Sequence, residues 1–147
     1  MVNNKRIQNI WREFWKNDLI NPDETWPFQV VNALSYLNDE LINSQCTVER
    51  VKDLCAIRDH NFASLFKHYT GYTPASYLKK HRVEFAKRVM VECNNNRTIS
   101  QIAHYCGYRR PNSFSTAFKD LTGYSPKRYW SIQQKKPKGK TINKPMK

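Results

Sequence analysis

The chain has 147 residues, of which 25 are lysine or arginine and 12 are aspartate or glutamate, so its formal net charge is +13. A hydrophobic fraction of 39% is too high for a disordered polyelectrolyte. No apolar run approaches the ~20 residues that a membrane-spanning helix needs, and the first residues lack the uninterrupted apolar core of a secretory signal. The composition therefore predicts a soluble, basic, folded intracellular protein of about one domain.

The positive charge is concentrated in the later part of the chain. Residues 1–46 carry four basic and six acidic side chains, whereas residues 47–147 carry 21 basic and six acidic ones. A field of this size predicts a polyanionic partner, and nucleic acid is favoured over an anionic membrane surface. Charge alone leaves open the alternative that a basic surface only maintains solubility.

The cysteines and histidines indicate neither a metal site nor catalysis. Cys46, Cys55, Cys93 and Cys106 contain no CxxC pair, and the nearest metal-like fragment, His104-x-Cys106, is weak. Nucleotide-binding, metalloprotease and hydrolase motifs are absent from the sequence. We therefore expect buried, reduced thiols, no metal, no cofactor and no enzymatic activity.

Two helices are predicted before the basic region begins. Residues 5–19 have apolar side chains at i, i+3, i+4, i+7 and i+8, which predicts an amphipathic helix that ends at Asn21-Pro22-Asp23. A further helix is predicted over residues 28–42, with Phe28, Val31, Leu34, Leu37 and Leu41 facing inward. The first helix packs on the rest of the chain, forms a dimer contact or binds another protein, since its apolar stripe must be covered.

The chain then contains the same unit twice. Residues 47–78 align with residues 98–130, at an offset of 51 that becomes 52 from Phe62 and Phe114 onward. Both copies share the run Thr-Gly-Tyr-x-Pro-x-x-Tyr. Such a match predicts two copies of one supersecondary unit.

Each copy is punctuated as two helices joined by a tight turn, which is the helix-turn-helix unit. A threonine caps the first helix, a glycine ends the second, and a hydroxyl residue followed by proline starts the next one. These residues are Thr47 and Thr98, Gly71 and Gly123, and the pairs Thr73-Pro74 and Ser125-Pro126. The segment Pro74–Cys93 reads as one continuous helix of about 30 Å, close to the ~34 Å turn of B-DNA.

The outward faces of the two second helices are predicted from helical geometry. Phe62, Phe66, Phe114 and Phe118 fall on the core stripe, so polar residues face outward. Short polar side chains suit base edges in a major groove, and cations at the helix entries suit phosphates. The predicted base-reading residues are His60, Asn61, Ser64, Asn112, Ser115 and Thr116. The predicted phosphate-binding residues are Arg58, Lys67, His68, Arg109, Arg110 and Lys119.

The chain resembles the AraC/XylS-type transcriptional regulators over about residues 30–132, most strongly in the second copy. The residues that carry the resemblance are Ile99, Ile102, Ala103, Gly107, Tyr108, Phe114, Phe118, Lys119, Gly123, Pro126 and Tyr129. Arg82, Ala86 and Val89-Met90 resemble the family's linker helix. The resemblance implies an all-α fold with two homeodomain-like helix-turn-helix subdomains joined by a long linker helix.

The resemblance also implies a sequence-specific regulator of double-stranded DNA in the bacterial cytoplasm, associated with the nucleoid, with RNA polymerase as a candidate partner. The alternative is an architectural or nonspecific nucleic-acid-binding protein. We expect the DNA-binding domain over residues 25–132 and a helical extension over residues 1–24, with the chain monomeric or dimeric through that helix. From Ser131 onward six lysines and two prolines predict a mostly disordered basic tail, assigned to residues 133–147. The length leaves no room for a ligand-sensing domain, so no small-molecule effector is implied.

Overall fold

The computed structural model describes residues 4–93 and 97–135, and in these ranges the chain forms α-helices and no strand. The helices are α1 (Asn4–Asn17), α2 (Phe28–Asp39), α3 (Val48–Leu54), α4 (Phe62–Thr70), α5 (Pro74–Cys93), α6 (Ile99–Tyr105), α7 (Pro111–Thr122) and α8 (Pro126–Gln134). The all-α class is confirmed. Within the described ranges, no helix has the length and apolarity that crossing a bilayer requires.

The helix ends follow the predicted capping residues. The Thr47 hydroxyl accepts a hydrogen bond from the Arg50 amide at 3.1 Å, and the Thr98 hydroxyl accepts one from the Gln101 amide at 3.0 Å. In the second copy the Gln101 side chain also accepts from the Thr98 amide at 2.8 Å, which completes a capping box. These caps separate a first unit, α3 and α4, from a second unit, α6 and α7.

Helix α5 is the central element of the fold. It spans the 20 residues that the sequence predicts and contacts α1, α4, α6, α7 and α8. Its fully buried side chains include Tyr77, Phe85, Val89 and Met90, which join the cores of both units into one. The two units are therefore held by one continuous hydrophobic core as well as by the linker helix.

The N-terminal helix packs on α5, which answers the question that the sequence left open. Ile7, Ile10 and Phe14 of α1 are buried. The Phe14 and Phe85 rings lie edge to face with centroids 5.4 Å apart, and Trp11 meets Phe85 at 5.5 Å. Most of the apolar stripe of α1 is thus covered within the chain, while Trp15 stays 45% exposed.

A buried polar cluster anchors the connection between α1 and α2. The Tyr77 hydroxyl donates to Asn38 Oδ1 at 2.6 Å and accepts from the Ile20 amide at 3.2 Å. The Asn38 side chain donates to the Ile20 carbonyl at 2.8 Å, so every member of the cluster has a partner. Burial raises the pKa of Tyr77 to about 12, which keeps this hydroxyl protonated at neutral pH.

Arg82 ties the loop after α2 to the second unit. Its Nε donates to the Leu41 carbonyl at 2.7 Å, and its Nη2 donates to the carbonyls of Asn43 and Cys46 at 2.9 and 3.1 Å. On the other side the guanidinium lies 5.5 Å from the centroid of the Tyr108 ring. Gly107 has φ +94°, and a Cβ there would lie 2.9 Å from Arg82 Nε. Glycine at 107 therefore permits both the left-handed turn and the approach of the arginine.

Four details of the prediction are wrong. Helix α2 ends at Asp39 rather than at 42, and Phe28 is 75% exposed because it precedes the buried Val30 by two residues and so lies about 200° around the helix. Leu54, which helical spacing with Val48 and Val51 predicts to face inward, is the last residue of α3 and is exposed. Helix α8 runs to Gln134, so residues 131–134 do not belong to a disordered tail, because the buried Tyr129 and Trp130 hold the helix on the core. The rest of the predicted tail, residues 136–147, lies outside the described residues.

Candidate nucleic-acid interface

Helix α7 presents a polar outer face, as the sequence predicts. Phe114, Ala117 and Phe118 are buried, whereas Asn112 and Thr116 on the opposite side are exposed. Proline at position 111 starts the helix with a preset φ, and Gly123 ends it at φ +83°. Asn112 and Thr116 stand one turn apart, a spacing that lets both side chains reach one strip of a groove.

The remaining predicted residues of the second unit surround this face. Lys119 is exposed one turn after Ser115, which is half-buried at the side of the helix. Arg109 and Arg110 are exposed in the turn that leads into α7. Arg110 is the N-cap residue but makes no side-chain capping bond, so its guanidinium is available to another ligand.

Helix α4 presents the matching face of the first unit, but it begins later than its counterpart. Ser64, Lys67 and His68 are exposed on the helix. His60 and Asn61, also exposed, lie in the turn before the helix. The turn forms because the Asp59 carboxylate accepts from the Asn61 amide at 2.9 Å, a local bond that competes with the helix. Arg58 is exposed in the same connection.

The cations of both faces are available to external anions. Arg58, Lys67, Arg109, Arg110 and Lys119 form no ion pair with any carboxylate in the described parts of the chain. By contrast, the cations along α5 are paired with acidic side chains: Lys80 and Lys87 with Glu84, and Arg88 with Asp18. Unpaired cations are therefore present around both polar helix faces, in contrast to the paired Lys80, Lys87 and Arg88 of α5.

A cleft of about 610 Å³ separates the two units and was not predicted. Thr47 and Val48 of the first unit form one wall, Leu78 and Lys79 of α5 the floor, and α7 the other wall. Its residues on the α7 side are Asn112, Ser113, Thr116, Ala117 and Asp120. The outer face of α7 therefore borders the space between the units.

An ion pair spans the cleft floor. Lys79 Nζ lies 3.1 Å from Asp120 Oδ2, which links α5 to α7 across 41 residues of sequence. Neither this pair nor the role of Arg82 carries a sequence signal, since their partners are distant in the chain. The family resemblance marks Arg82 only as a linker-helix residue.

Comparison with known proteins places these helices in one family. A family model described as a helix-turn-helix domain matches residues 55–131. The transcriptional regulator AlkR of Acinetobacter baylyi is 39% identical over 115 residues, which cover 78% of this chain and 35% of AlkR. A putative AraC-like transcription regulator of Streptomyces lividans is 35% identical over 100 residues, which cover 68% of this chain and 32% of that protein. The chain thus spans about a third of the length of these relatives.

Solved structures share the arrangement of helices. The C-terminal domain of AraT, a response regulator from Geobacillus stearothermophilus, has a TM-score of 0.66 at 25% identity and covers 81% of this chain and 91% of that domain. The DNA-binding domain of AdpA, solved in complex with a target DNA, has a TM-score of 0.63 at 23% identity, covering 72% of this chain and 93% of that one. The second comparison shows a common fold.

Proposed function

Since the chain belongs to the AraC/XylS-type family of helix-turn-helix regulators, we propose that it regulates transcription by sequence-specific binding to duplex DNA. The observation that carries the proposal is the pair of exposed polar helix faces, on α4 and α7, fixed on one rigid core. Helix α5, at about 30 Å, matches the ~34 Å between successive major-groove segments on one side of a duplex. This length supports the reading of two such segments by the two faces.

The base-reading residues in this proposal lie on the outward faces. Asn112 offers a bidentate amide to adenine, and the Thr116 methyl group suits thymine. Ser64 occupies the position in the first unit that Thr116 occupies in the second. The exposed His60 and Asn61 contribute further base-reading side chains from the turn before α4. Ser115, being half-buried, contributes at the side of the helix.

Phosphate contacts come from the exposed basic side chains around these faces. The proposed residues are Arg58, Lys67, His68, Arg109, Arg110 and Lys119. Arginine in the turns presents a planar fork that matches phosphate oxygens, which orients each unit without reading sequence.

The proposal assigns the chain no reaction and no cofactor, and it includes RNA polymerase as the protein partner of a promoter-bound regulator. Because Ile7, Ile10 and Phe14 of α1 are buried, most of its apolar stripe is unavailable to a dimer, which supports binding as a monomer. The proposal places this activity in the bacterial cytoplasm, on the nucleoid. We assign DNA binding to residues 25–132, with α1 as a packed extension.

The test compares selected and random duplexes. Asn112→Ala and Thr116→Ala should each weaken binding to a site selected with the parent by about 1–3 kcal/mol and relax the preference at one or two base pairs. Affinity for random duplex should hardly change. Asn32→Ala, which removes an exposed amide from α2, is the matched control and should leave both affinities intact.

Two results would contradict the proposal. Equal losses on selected and random DNA would indicate an architectural or nonspecific binder instead. An affinity that does not fall linearly with the logarithm of salt concentration, at about −0.9 per neutralised phosphate, would exclude phosphate contacts altogether.

A further inference from the structure

The two units are each followed by a helix that begins in the same way and then diverges. Helices α5 and α8 start with a capping hydroxyl and a proline: the Thr73 hydroxyl accepts from the Ser76 amide at 3.1 Å, and the Ser125 hydroxyl from the Arg128 amide at 3.2 Å. Both continue with a buried tyrosine, Tyr77 or Tyr129. Between proline and tyrosine, α5 has Ala75-Ser76, whereas α8 has Lys127-Arg128.

The two cations do not stabilise the helix that carries them. Lys127 and Arg128 lie in the first turn of α8, where the helix dipole disfavours positive charge. Both side chains are exposed, and neither forms an ion pair within the described ranges of the chain. Their placement therefore has a cost to the folded helix that no contact in the fold offsets.

The internal repeat locates these cations relative to the reading faces. Ala75 lines the cleft beside the first unit, together with Asn112 and Thr116 of α7. In the aligned repeat, Lys127 follows the second unit at the position where Ala75 follows the first. The repeat therefore assigns Lys127 the place beside the second unit that Ala75 has beside the first.

The excess of cations in the second copy arises at this point. Residues 47–78 carry four basic and three acidic side chains, and residues 98–130 carry five basic and one acidic. Without Lys127 and Arg128, the second copy would have fewer cations than the first. The surplus thus stands at the outer end of the second unit rather than on its reading helix.

From the repeat, the exposure and the missing carboxylate partners, we infer that Lys127 and Arg128 form a phosphate-binding site for the DNA backbone just outside the segment read by α7. We call it the flanking phosphate site. It rests on the proposed function, because it lengthens the DNA contact of the same interface on one side only. The ligand is a phosphodiester, so the site adds affinity and no sequence preference.

The test restores the sequence that the chain itself uses at α5. The double variant Lys127→Ala/Arg128→Ser gives α8 the Pro-Ala-Ser-Tyr start of α5, so it should unfold at the temperature of the parent or above it. Loss of two phosphate contacts should reduce the salt slope of log affinity by about 1.8, which is about 60-fold in affinity at 0.1 M salt if the two proteins converge at 1 M. The matched control, Lys5→Ala/Lys16→Ala, removes two exposed cations from α1 and should leave the slope near that of the parent.

A second arm varies the DNA. Removing the base pairs beyond the α7 segment should weaken the parent to the level of the double variant, while the variant itself should bind short and long duplexes alike. Trimming the opposite end by the same length should affect both proteins equally. Preference at the read base pairs should be the same in parent and variant.

The outcomes separate this site from the proposed function. If the parent binds its selected duplex and the double variant matches the α1 control in slope and in its response to trimming, the flanking phosphate site is overturned and the proposed function stands. If the parent binds no duplex, the proposed function fails and the site fails with it.

Discussion

Ala56 is the residue whose backbone departs most from what its side chain favours. It has φ +54° at the end of α3, while its counterpart in the second copy, Gly107, has φ +94° at the end of α6. A Cβ costs roughly 1–2 kcal/mol in the left-handed region, so the first copy carries a strain that the second avoids. The sequence alignment pairs the two residues, but only the structure shows that both adopt this conformation.

We expect Ala56→Gly to raise the free energy of unfolding by about 0.5–1 kcal/mol, since relief of the strain exceeds the added entropy of the unfolded chain. Urea denaturation followed by circular dichroism measures the change. A midpoint equal to or below that of the parent would show that the turn carries no strain.

The reciprocal change, Gly107→Ala, is the control for this prediction. It should lower the free energy of unfolding by about 2 kcal/mol or more, because the new Cβ meets the left-handed backbone and would lie 2.9 Å from Arg82 Nε. Similar small effects of both substitutions would mean that the turns tolerate either residue.

His81 gives the protein a stability that depends on pH. Its ring is buried, with Nδ1 2.8 Å from the Tyr77 carbonyl oxygen, and burial lowers its pKa against the opposing effect of that hydrogen bond. The unfolded chain takes up a proton near pH 6.5 that the folded chain binds less readily, so the free energy of unfolding should fall as the pH drops below about 6.5. Denaturation at pH 7.5 and 5.5 should show a larger loss for the parent than for His81→Asn. Equal losses would assign the effect to other groups.

At the scale of elements, much of the fold follows from local chemistry that the sequence displays. Thr98 with Gln101 and the glycines after α4 and α7 mark helix boundaries because each acts on neighbouring backbone groups. Helix α5 is predicted at its observed bounds for the same reason. The position of α1 could not be predicted, because an apolar stripe shows that a helix is covered and not what covers it.

The candidate site, like the fold, is only partly predictable from the sequence. Exposure of Asn112, Thr116 and Ser64 follows from helical period alone, and the structure confirms it. The turn at Asp59 and the ion pair of Lys79 with Asp120 depend on side-chain geometry and on contacts between distant residues. Their detection requires the folded chain.

Packing of α1 on α5 leads to a prediction about two adjacent aromatic residues. Phe14→Ala should lower the free energy of unfolding by about 3–5 kcal/mol, since Phe14 is buried against Phe85 and its removal leaves a cavity. Trp15→Ala should cost less than about 1 kcal/mol, because Trp15 is 45% exposed. Thermal and urea unfolding of both variants provide the comparison. Equal losses would mean that α1 does not dock in this orientation.

At the scale of the whole molecule, one buried cation joins parts of the chain that are otherwise separate. Arg82 bonds three carbonyls of the loop between α2 and α3 and lies against the turn of the second unit. Its guanidinium fork spans carbonyls that a lysine cannot reach together. Arg82 therefore links the loop before the first unit to the turn of the second unit, in addition to the link that α5 makes.

We expect Arg82→Met to lower the free energy of unfolding by about 3–5 kcal/mol, because three carbonyl groups lose a charged donor. Arg82→Lys should recover only part of that loss. Urea denaturation at neutral pH measures both variants. A loss below about 1 kcal/mol for Arg82→Met would show that water satisfies the carbonyls and that the loop is held by other contacts.

Aligning α8 with α5 at the repeat offset shows where the sequences of the two helices diverge. Gln134 stands where α5 has Arg82, and Pro137 stands where α5 has Phe85, so the second helix of this kind stops where the first becomes a linker. The repeat therefore extends into the start of the helix that follows each unit and does not continue along it. To append a third unit, one would rebuild α8 as a second linker helix like α5, with arginine at 134 and without proline at 137.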